Sequence, residues 1–205
     1  MWSWRNKAAG SVGGQNEGMR GQDLTGRLLV ATPRLVHEEF RRTVVLLLDH
    51  GEDGALGVVV NRPTEIDVDA VLPVWQPFVT VPGRLFQGGP VALDSALGLV
   101  SVPGAADAEP LGVRRLTGSL GLVDLDTPPE VVVPELTRLR IFAGYAGWAP
   151  GQLESEIEDG SWYVVDAEPG DAFTDTPERL WADVLRRQGG DLALVATFPE
   201  DPSLN

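Results

Sequence analysis

Short runs of apolar, often β-branched residues, separated by polar turns, dominate the first third of the chain. Residues 27–32, 43–49 and 55–61 each have this pattern, which predicts a strand. The polar loop at 50–54 joins the second run to the third and predicts a β-hairpin. Because both strands of the hairpin are almost wholly apolar, we expect them to be buried on both faces.

Farther along the chain, predicted strands and helices alternate. Further strands are predicted at residues 84–87, 96–102, 120–124, 139–143, 161–166 and 192–198. Helices are predicted after Asp67, from Pro128 onward behind a Thr127 cap, and at residues 150–158 and 177–188. The last helix has the clearest ends, because Thr176 fits the N-cap and Gly189 the C-terminal cap. The alternation, together with the hairpin, predicts a mixed rather than an all-parallel sheet.

The apolar pattern is confined to the middle of the chain, which predicts one folded domain over residues 24–199. Residues 1–23 are expected to form a flexible tail that is not a signal peptide, and 200–205 a short C-terminal tail. Trp2 and Trp4 could anchor the first tail on a partner or a membrane surface, or they could be incidental. No stretch approaches the roughly 18 consecutive apolar residues of a transmembrane helix, so we expect a soluble protein with no membrane partner.

The chain is acidic, with 30 Asp and Glu residues against 16 Lys and Arg residues and a formal net charge of −14. Such a surface repels phosphate backbones, so no direct nucleic-acid binding is expected. It could attract a basic partner, or it could be an ordinary solvated surface.

The absence of cysteine excludes disulfides and a thiolate nucleophile, and it makes the cytoplasm the default location. Lys7, in the predicted tail, is the only lysine, so the domain has none for a Schiff base or a P-loop.

Three partial matches to catalytic or metal-binding motifs each fail at a required position. Residues 37–41 begin like a zinc-protease motif but have Arg41 in place of the second histidine. The loop after residue 49 begins like a calcium loop, yet Val60 stands where a bidentate glutamate is needed. Residues 117–121 resemble a nucleophile elbow, but they precede a predicted strand instead of following one. We therefore predict no metal and no cofactor, and His37 and His50 are either loop histidines or the only candidate imidazole bases.

Three glycine- or proline-containing segments carry the remaining candidate chemistry. Asn61–Arg62–Pro63 places an amide and a guanidinium at the end of a buried strand, and Gly88–Gly89–Pro90 predicts a tight turn. Residues 144–154 predict a glycine-rich loop followed by a helix start, a geometry that can direct backbone N–H groups at an anion. The candidate ligand-binding residues are Asn61, Arg62, Tyr145, Gly147, Trp148, Gln152 and Glu154.

Two interpretations of these residues remain open. If they form a site, Arg62 is expected to reach Glu154, or an anion, in one cleft. The structural alternative is that the glycines allow sharp turns, the aromatic rings pack on the sheet, and Arg62 and Glu154 merely pair to join two elements.

Several of these motifs, in this order, resemble those of the AlgH/YqgE family of bacterial proteins. The resembling segments include Phe40–Arg41–Arg42–Thr43–Val44, Asn61–Arg62–Pro63, Gly88–Gly89–Pro90, Tyr145–Ala146–Gly147–Trp148 and Gly151–Gln152–Leu153–Glu154. The resemblance covers roughly residues 24–198. It implies an α+β fold with a mixed, partly barrel-like sheet flanked by helices. It implies no catalytic residues. The family's label of transcriptional regulator comes from genetics and not from a demonstrated DNA contact.

The sequence leaves more than one function open. The missing catalytic signatures and the family label favour a non-enzymatic regulatory or interaction protein. The alternative is a small-molecule-binding protein or enzyme with a pocket where Asn61, Arg62 and residues 144–154 converge. Direct DNA binding comes third, because it needs a basic stripe that the net charge disfavours. The expected partner is therefore an unidentified protein or small molecule.

Overall fold

The structure, a computed structural model, describes residues 23–104 and 110–198. The tails predicted at 1–23 and 200–205, with Trp2 and Trp4, lie outside the described residues except for Asp23. Most of the segment between residues 103 and 110 also lies outside them. In the described part of the chain, no helix is both long enough and apolar enough to cross a membrane.

Ten strands and four α-helices make up the described residues. The strands are β1 (Leu28–Ala31), β2 (Val44–Gly51), β3 (Gly54–Val59), β4 (Pro63–Asp67), β5 (Arg84–Gln87), β6 (Val91–Ser101), β7 (Val113–Thr117), β8 (Leu120–Val123), β9 (Arg138–Trp148) and β10 (Trp162–Val165). The α-helices are α1 (Pro129–Val132), α2 (Gln152–Glu158), α3 (Leu180–Gln188) and α4 (Gly190–Val195). Short 3-10 helices occupy Val68–Ala70, Pro73–Phe78, Val133–Glu135, Asp171–Phe173 and Pro177–Arg179.

The strands form one sheet, in which β10, β1, β2, β3, β9, β6, β8 and β7 are neighbours in that order. Strand β5 pairs with β9, and β4 pairs with β5. Most pairs are antiparallel, but β5 and β9 run parallel, with Phe86 opposite Phe142. The predicted mixed sheet is therefore confirmed. The sheet curls into a half-barrel with a few helices, so the fold is a single α+β domain.

The predicted hairpin of β2 and β3 is confirmed, with Val45 opposite Val59 and Gly51 opposite Gly54. Its apolar runs are buried because its two faces contribute to different cores. On one face Leu46 packs in the cluster that contains α3, and on the other Val45 packs in the cluster that contains Leu153 of α2. This double burial explains why the strands lack the polar alternation of a sheet with one solvated face.

Strand β9 corrects the prediction of a glycine-rich loop at residues 144–148. These residues continue the strand, and Trp148 lies opposite Ala55 of β3. Gly144 has φ +67°, and a Cβ there would lie 2.6 Å from the carbonyl oxygen of Val91. The absence of a side chain therefore lets the chain bend while its pairing continues on both sides of Gly144.

The predicted helix at 177–188 is confirmed as the 3-10 helix Pro177–Arg179 continuing into α3. The strand predicted at 192–198 is wrong, because this segment begins inside α4. Leu192, Val195 and Ala196 pack against the core cluster that includes α3, and their spacing is helical. Gly189, with φ +73°, turns the chain so that α4 follows α3 directly.

Smaller differences from the predicted elements occur where the chain is polar or rich in proline. The helix expected after Asp67 is only the 3-10 helix Val68–Ala70, since Pro73 follows closely. The first helical residue of α1 is Pro129, and its N-cap is Pro128 instead of Thr127. The apolar pattern does not predict β4 and β7, because most of their residues are exposed or half-buried at sheet edges.

Candidate functional site

The two halves of the predicted site lie at opposite ends of β2. Asn61 Oδ1 accepts a hydrogen bond from the N–H of Val44 at 2.9 Å, whereas Glu154 Oε1 lies 3.1 Å from His50 Nε2. Val44 and His50 are six positions apart (50 − 44) in β2. At roughly 3.3 Å per residue, they are about 20 Å apart. The predicted meeting of Arg62 with Glu154 is therefore wrong, because antiparallel pairing places the end of β9 beside the start of β3.

Glu156 organises the second half of the predicted site. Its Oε2 accepts hydrogen bonds from the indole N–H groups of Trp148, at 2.9 Å, and Trp162, at 2.8 Å. Its Oε1 accepts one from Gln152 Nε2 at 3.0 Å. We call these four side chains the Glu156 clamp. They bond to one another and attach α2 to β9 and β10, so a ligand role for Trp148 and Gln152 stays a prediction.

Tyr145 and Gly147 lie on the same stretch of β9 as the clamp. Tyr145 is half-buried and packs against the main core cluster. Gly147 is exposed and lies opposite Leu56 of β3. A Cβ on Gly147 would lie 3.5 Å from Cε2 of Tyr145, so the two residues are close neighbours. Their ligand role also stays a prediction.

Both ring nitrogens of His50 have partners. Nδ1 accepts a hydrogen bond from the N–H of Leu24 at 3.3 Å, and Nε2 lies 3.1 Å from Glu154 Oε1. In the neutral ring the proton is therefore on Nε2, and the lone pair of Nδ1 is engaged. This arrangement ties the start of the domain to the hairpin and engages both ring nitrogens of His50.

A pocket of about 570 Å³ lies at the other end of β2. It lies between the loop before β2, the end of β3 and the start of α3, and we call it the arginine pocket. Its lining residues are Val36, Glu38, Arg41, Arg42, Asn61, Arg62, Glu178, Trp181 and Ala182. Asn61 and Arg62 are thus the two predicted site residues that the structure brings into a pocket together.

Asn61 holds Arg42 in a backbone conformation that few non-glycine residues adopt. Arg42 has φ 54°, in the left-handed region. Asn61 Nδ2 donates to the carbonyl of Arg42 at 2.9 Å, while its Oδ1 accepts the N–H of Val44. The buried amide therefore bridges both sides of Thr43. Strained residues that are held in this way are frequent at functional sites.

The side chain of Arg62 holds the same loop by donating hydrogen bonds to backbone carbonyls of that loop. Its Nη2 donates to the carbonyls of Glu38, at 3.3 Å, and Arg41, at 2.7 Å. Burial, and then the nearby charge of Arg41, lower the pKa of Arg62 below its ordinary value. The guanidinium nonetheless stays charged at neutral pH. Among the described residues its Nε and Nη1 donate no hydrogen bond, which leaves these donors for a ligand.

The side chain of Arg42 is oriented by an aromatic ring. Its guanidinium carbon lies 4.4 Å from the ring centroid of Trp181, a cation–π contact. Trp181 is buried and donates its indole N–H to the carbonyl of Ala31 at 2.8 Å, so the ring itself is fixed. Arg42 also donates a hydrogen bond to the carbonyl of Phe198, beyond α4.

Several pocket residues are absent from the predicted site, namely Arg41, Arg42, Glu38, Glu178 and Trp181. The sequence did contain a signal for Arg41 and Arg42. They are two consecutive arginines before a buried strand, and residues 40–44 belong to the segments that resemble the family. Trp181 carries no such signal, because its apolar position in a helix indicates only burial.

A second cleft, of about 620 Å³, includes Arg187 and Asp171 in its lining. Arg187 contacts both carboxylate oxygens of Asp171, at 2.6 and 2.7 Å, and these hydrogen bonds raise its pKa. The nearby Arg140 is buried and donates to three backbone carbonyls, and burial lowers its pKa to about 10. Both Nη atoms of Arg140 therefore bond to protein carbonyls, whereas its buried Nε has no hydrogen-bond partner among the described residues. Within 23–104 and 110–198, no cluster of three or more His, Asp or Glu side chains could hold a metal ion.

This chain is similar to AlgH-like proteins and to bacterial proteins named UPF0301. The model of the AlgH-like family matches residues 28–193. A UPF0301 protein of Streptomyces coelicolor is 63% identical over 184 residues, which cover 89% of this chain and 95% of that protein. One of Thermobifida fusca is 50% identical over 191 residues, which cover 89% and 96%.

Two solved structures share this fold. The crystal structure of a Corynebacterium diphtheriae protein is 37% identical, with a TM-score of 0.78, and the match covers 88% of this chain and 95% of that one. The solution structure of the AlgH protein from Pseudomonas aeruginosa is 27% identical, with a TM-score of 0.65, and the match covers 90% and 98%.

Proposed function

Because this chain belongs to the AlgH-like family, a membership that specifies its fold but no activity, we propose its function from the arginine pocket. The protein is a non-enzymatic regulatory or interaction protein, and the pocket recognises an anionic group of a small molecule or a partner protein. The observation that carries this proposal is the convergence of three guanidinium groups on one pocket of a chain whose net charge is −14.

The electrostatics of the arginine pocket favour an anion. Burial is the main reason that the pKa of Arg62 is lowered, and the like charge of the nearby Arg41 lowers it further. A phosphate or carboxylate between them would relieve this repulsion and accept charge-assisted hydrogen bonds. Glu38 and Glu178 also line the pocket, so three arginines and two glutamates give its lining one net positive charge (3 − 2).

The arginine pocket is also organised before a ligand enters it. Asn61 and Arg62 hold the backbone of the loop, and Trp181 orients the side chain of Arg42. Groups that are already ordered lose less conformational entropy on binding. Guanidinium, amide and indole groups bind and orient charged ligands, which supports recognition as the role of this pocket.

Thermal unfolding with added anions tests the proposal. Inorganic phosphate, pyrophosphate, citrate and a short acidic peptide are the probes. A ligand at 100 times its Kd stabilises the folded state by about 2.7 kcal/mol. For a chain of this size, that corresponds to a rise in Tm of roughly 5 to 10 °C. We expect at least one probe to raise the Tm, and Arg41→Gln to abolish most of the rise.

Arg114→Gln is the matched control. Arg114 is exposed on the edge strand β7, and its substitution changes the net charge by the same amount. The control should keep the full rise in Tm. Equal rises in the wild type and Arg41→Gln would contradict the proposal, as would the absence of a rise with all four probes.

A further inference from the structure

The arginine pocket is larger than a single inorganic anion needs. Its volume of about 570 Å³ is within the range of roughly 300–1,000 Å³ that is typical of sites for organic ligands. Its three guanidinium groups come from the loop before β2 and from the end of β3. Another side of the pocket is the start of α3 with the 3-10 helix before it, which contributes Glu178, Trp181 and Ala182. A ligand that fills the pocket therefore contacts both sides.

Glu178 brings a negative charge to this second side. Its side chain is exposed, and among the residues that the structure describes it has no hydrogen bond or ion pair. The next residue, Arg179, pairs with Asp183 at 4.0 Å instead. Glu178 precedes Trp181 by three positions (181 − 178), so their Cβ atoms are roughly 5–6 Å apart on one side of the helix. The ring of Trp181 in turn contacts Arg42, which places Glu178 near the guanidinium groups.

Glu38, the other carboxylate of the lining, already faces a cation. Its negative charge counteracts the lowering of the pKa of Arg62, and its backbone carbonyl accepts a hydrogen bond from Arg62 Nη2 at 3.3 Å. Glu178 is therefore the carboxylate whose charge is available to a ligand. Val36 and Ala182 add apolar surface to the same lining. The pocket thus combines an anion-binding side, a separate carboxylate and apolar surface.

We propose that the ligand of the arginine pocket presents a zwitterionic group, in which a phosphate or carboxylate is joined to an ammonium group by a short hydrocarbon chain. Arg41 and Arg62 bind the anionic end, and Glu178 binds the ammonium end. Such a group meets an opposite charge on both sides of the pocket, whereas a bare anion is repelled by Glu178. The inference rests on the proposed function, because it names the ligand class of the same pocket.

Calorimetric titration with two matched pairs of probes tests the inference. One pair is O-phosphoethanolamine and ethyl phosphate, and the other is 4-aminobutyrate and butyrate. Within each pair the anionic group is the same, and only one member has the ammonium group. We expect the ammonium group to tighten binding by roughly fivefold in at least one pair, near the upper limit for an ion pair with an exposed carboxylate. The pair that shows the gain identifies the anionic group as phosphate or carboxylate.

Glu178→Gln assigns the gain to its carboxylate. This variant should lose the fivefold gain and bind the probe without an ammonium group at least as tightly as the wild type does. The matched control is Glu130→Gln, which also removes an exposed glutamate from the first turn of a helix, in α1, and lies outside the pocket lining. Because both glutamates are near a helix N-terminus, effects on the helix dipole are matched as well. The control should keep the full gain.

The outcomes separate the inference from the proposed function. Equal affinities within both pairs, with binding lost in Arg41→Gln, would overturn the zwitterion and leave the proposed function standing. A gain that persists in Glu178→Gln would also overturn the inference. Binding that needs Glu178 but not Arg41 would reject both, since only a cation site would remain. If none of the four probes binds, the zwitterion is rejected, and the thermal unfolding with phosphate, pyrophosphate, citrate and the acidic peptide decides the proposed function separately.

The same chemistry occurs in the headgroup of phosphatidylethanolamine, so a second measurement identifies the source of the zwitterion. Sedimentation with vesicles of this lipid is compared for the wild type, Arg41→Gln and Glu178→Gln. Cosedimentation of the wild type that both variants lose supports the zwitterion as a lipid headgroup. A gain with O-phosphoethanolamine and no cosedimentation supports it as a free molecule. Cosedimentation that neither substitution weakens would contradict binding of the headgroup in this pocket.

Discussion

Replacement of Glu156 by alanine tests whether the Glu156 clamp is a structural element. The substitution removes the oxygen that accepts hydrogen bonds from the indoles of Trp148, at 2.9 Å, and Trp162, at 2.8 Å. Both rings are buried, with exposed fractions of 7% and 4%. Their N–H groups would therefore lose their partner where water has little access.

The magnitude follows from these two donors. A buried polar group without a partner costs about 1–3 kcal/mol, so the pair costs about 2–6 kcal/mol. Gln152 is exposed, and its amide can bond to water instead. We expect a loss of about 3 kcal/mol, which lowers the Tm by roughly 6 to 12 °C. Glu156→Gln keeps an acceptor oxygen but loses the charge, so it should cost about 1 kcal/mol.

Urea unfolding followed by tryptophan fluorescence and by circular dichroism measures these losses. The matched control is Glu158→Ala, which removes an exposed glutamate from the same helix and should change the stability by no more than about 0.5 kcal/mol. If Glu156→Ala is as stable as Glu158→Ala, the indole hydrogen bonds do not support the fold, and the clamp is not a structural element.

Two further predictions concern the arginine pocket and the packing of β9. Asn61→Ala removes two hydrogen bonds of 2.9 Å, one buried and one half-buried, and should cost about 2–4 kcal/mol in urea unfolding. It should also abolish anion binding, since Arg42 loses the contact that holds its backbone; retained binding in calorimetry would refute this positioning role. Gly89→Ala would place a Cβ 2.2 Å from the carbonyl carbon of Tyr145 and should cost about 3 kcal/mol or more. Gly51→Ala, which meets nothing within 4 Å, is its control, and equal stability of the two variants would contradict the packing argument.

Local patterns in the sequence were sufficient for the elements whose form depends on neighbouring residues. The β2–β3 hairpin follows from two apolar runs around a polar turn, and the helix ending at Gln188 follows from its caps and its apolar face. Residues 192–198 show the limit of such patterns. A short apolar run suits a strand or a buried helix equally, and packing beside α3 selected the helix.

The candidate site depended on contacts between distant parts of the chain. The sequence identified Asn61 and Arg62 as unusual, but it predicted their meeting with residues near Glu154, which the pairing of β9 with β3 prevents. The actual neighbours of Asn61 are Arg42 and Val44, 19 and 17 positions away.

Trp181, which orients Arg42, is itself held by a carbonyl 150 positions away in β1. The sequence by itself therefore determined which segments are buried and where several of them turn, since those properties depend on nearby residues. Only the tertiary structure decided which arginines share a pocket, because strand register and helix packing bring them together.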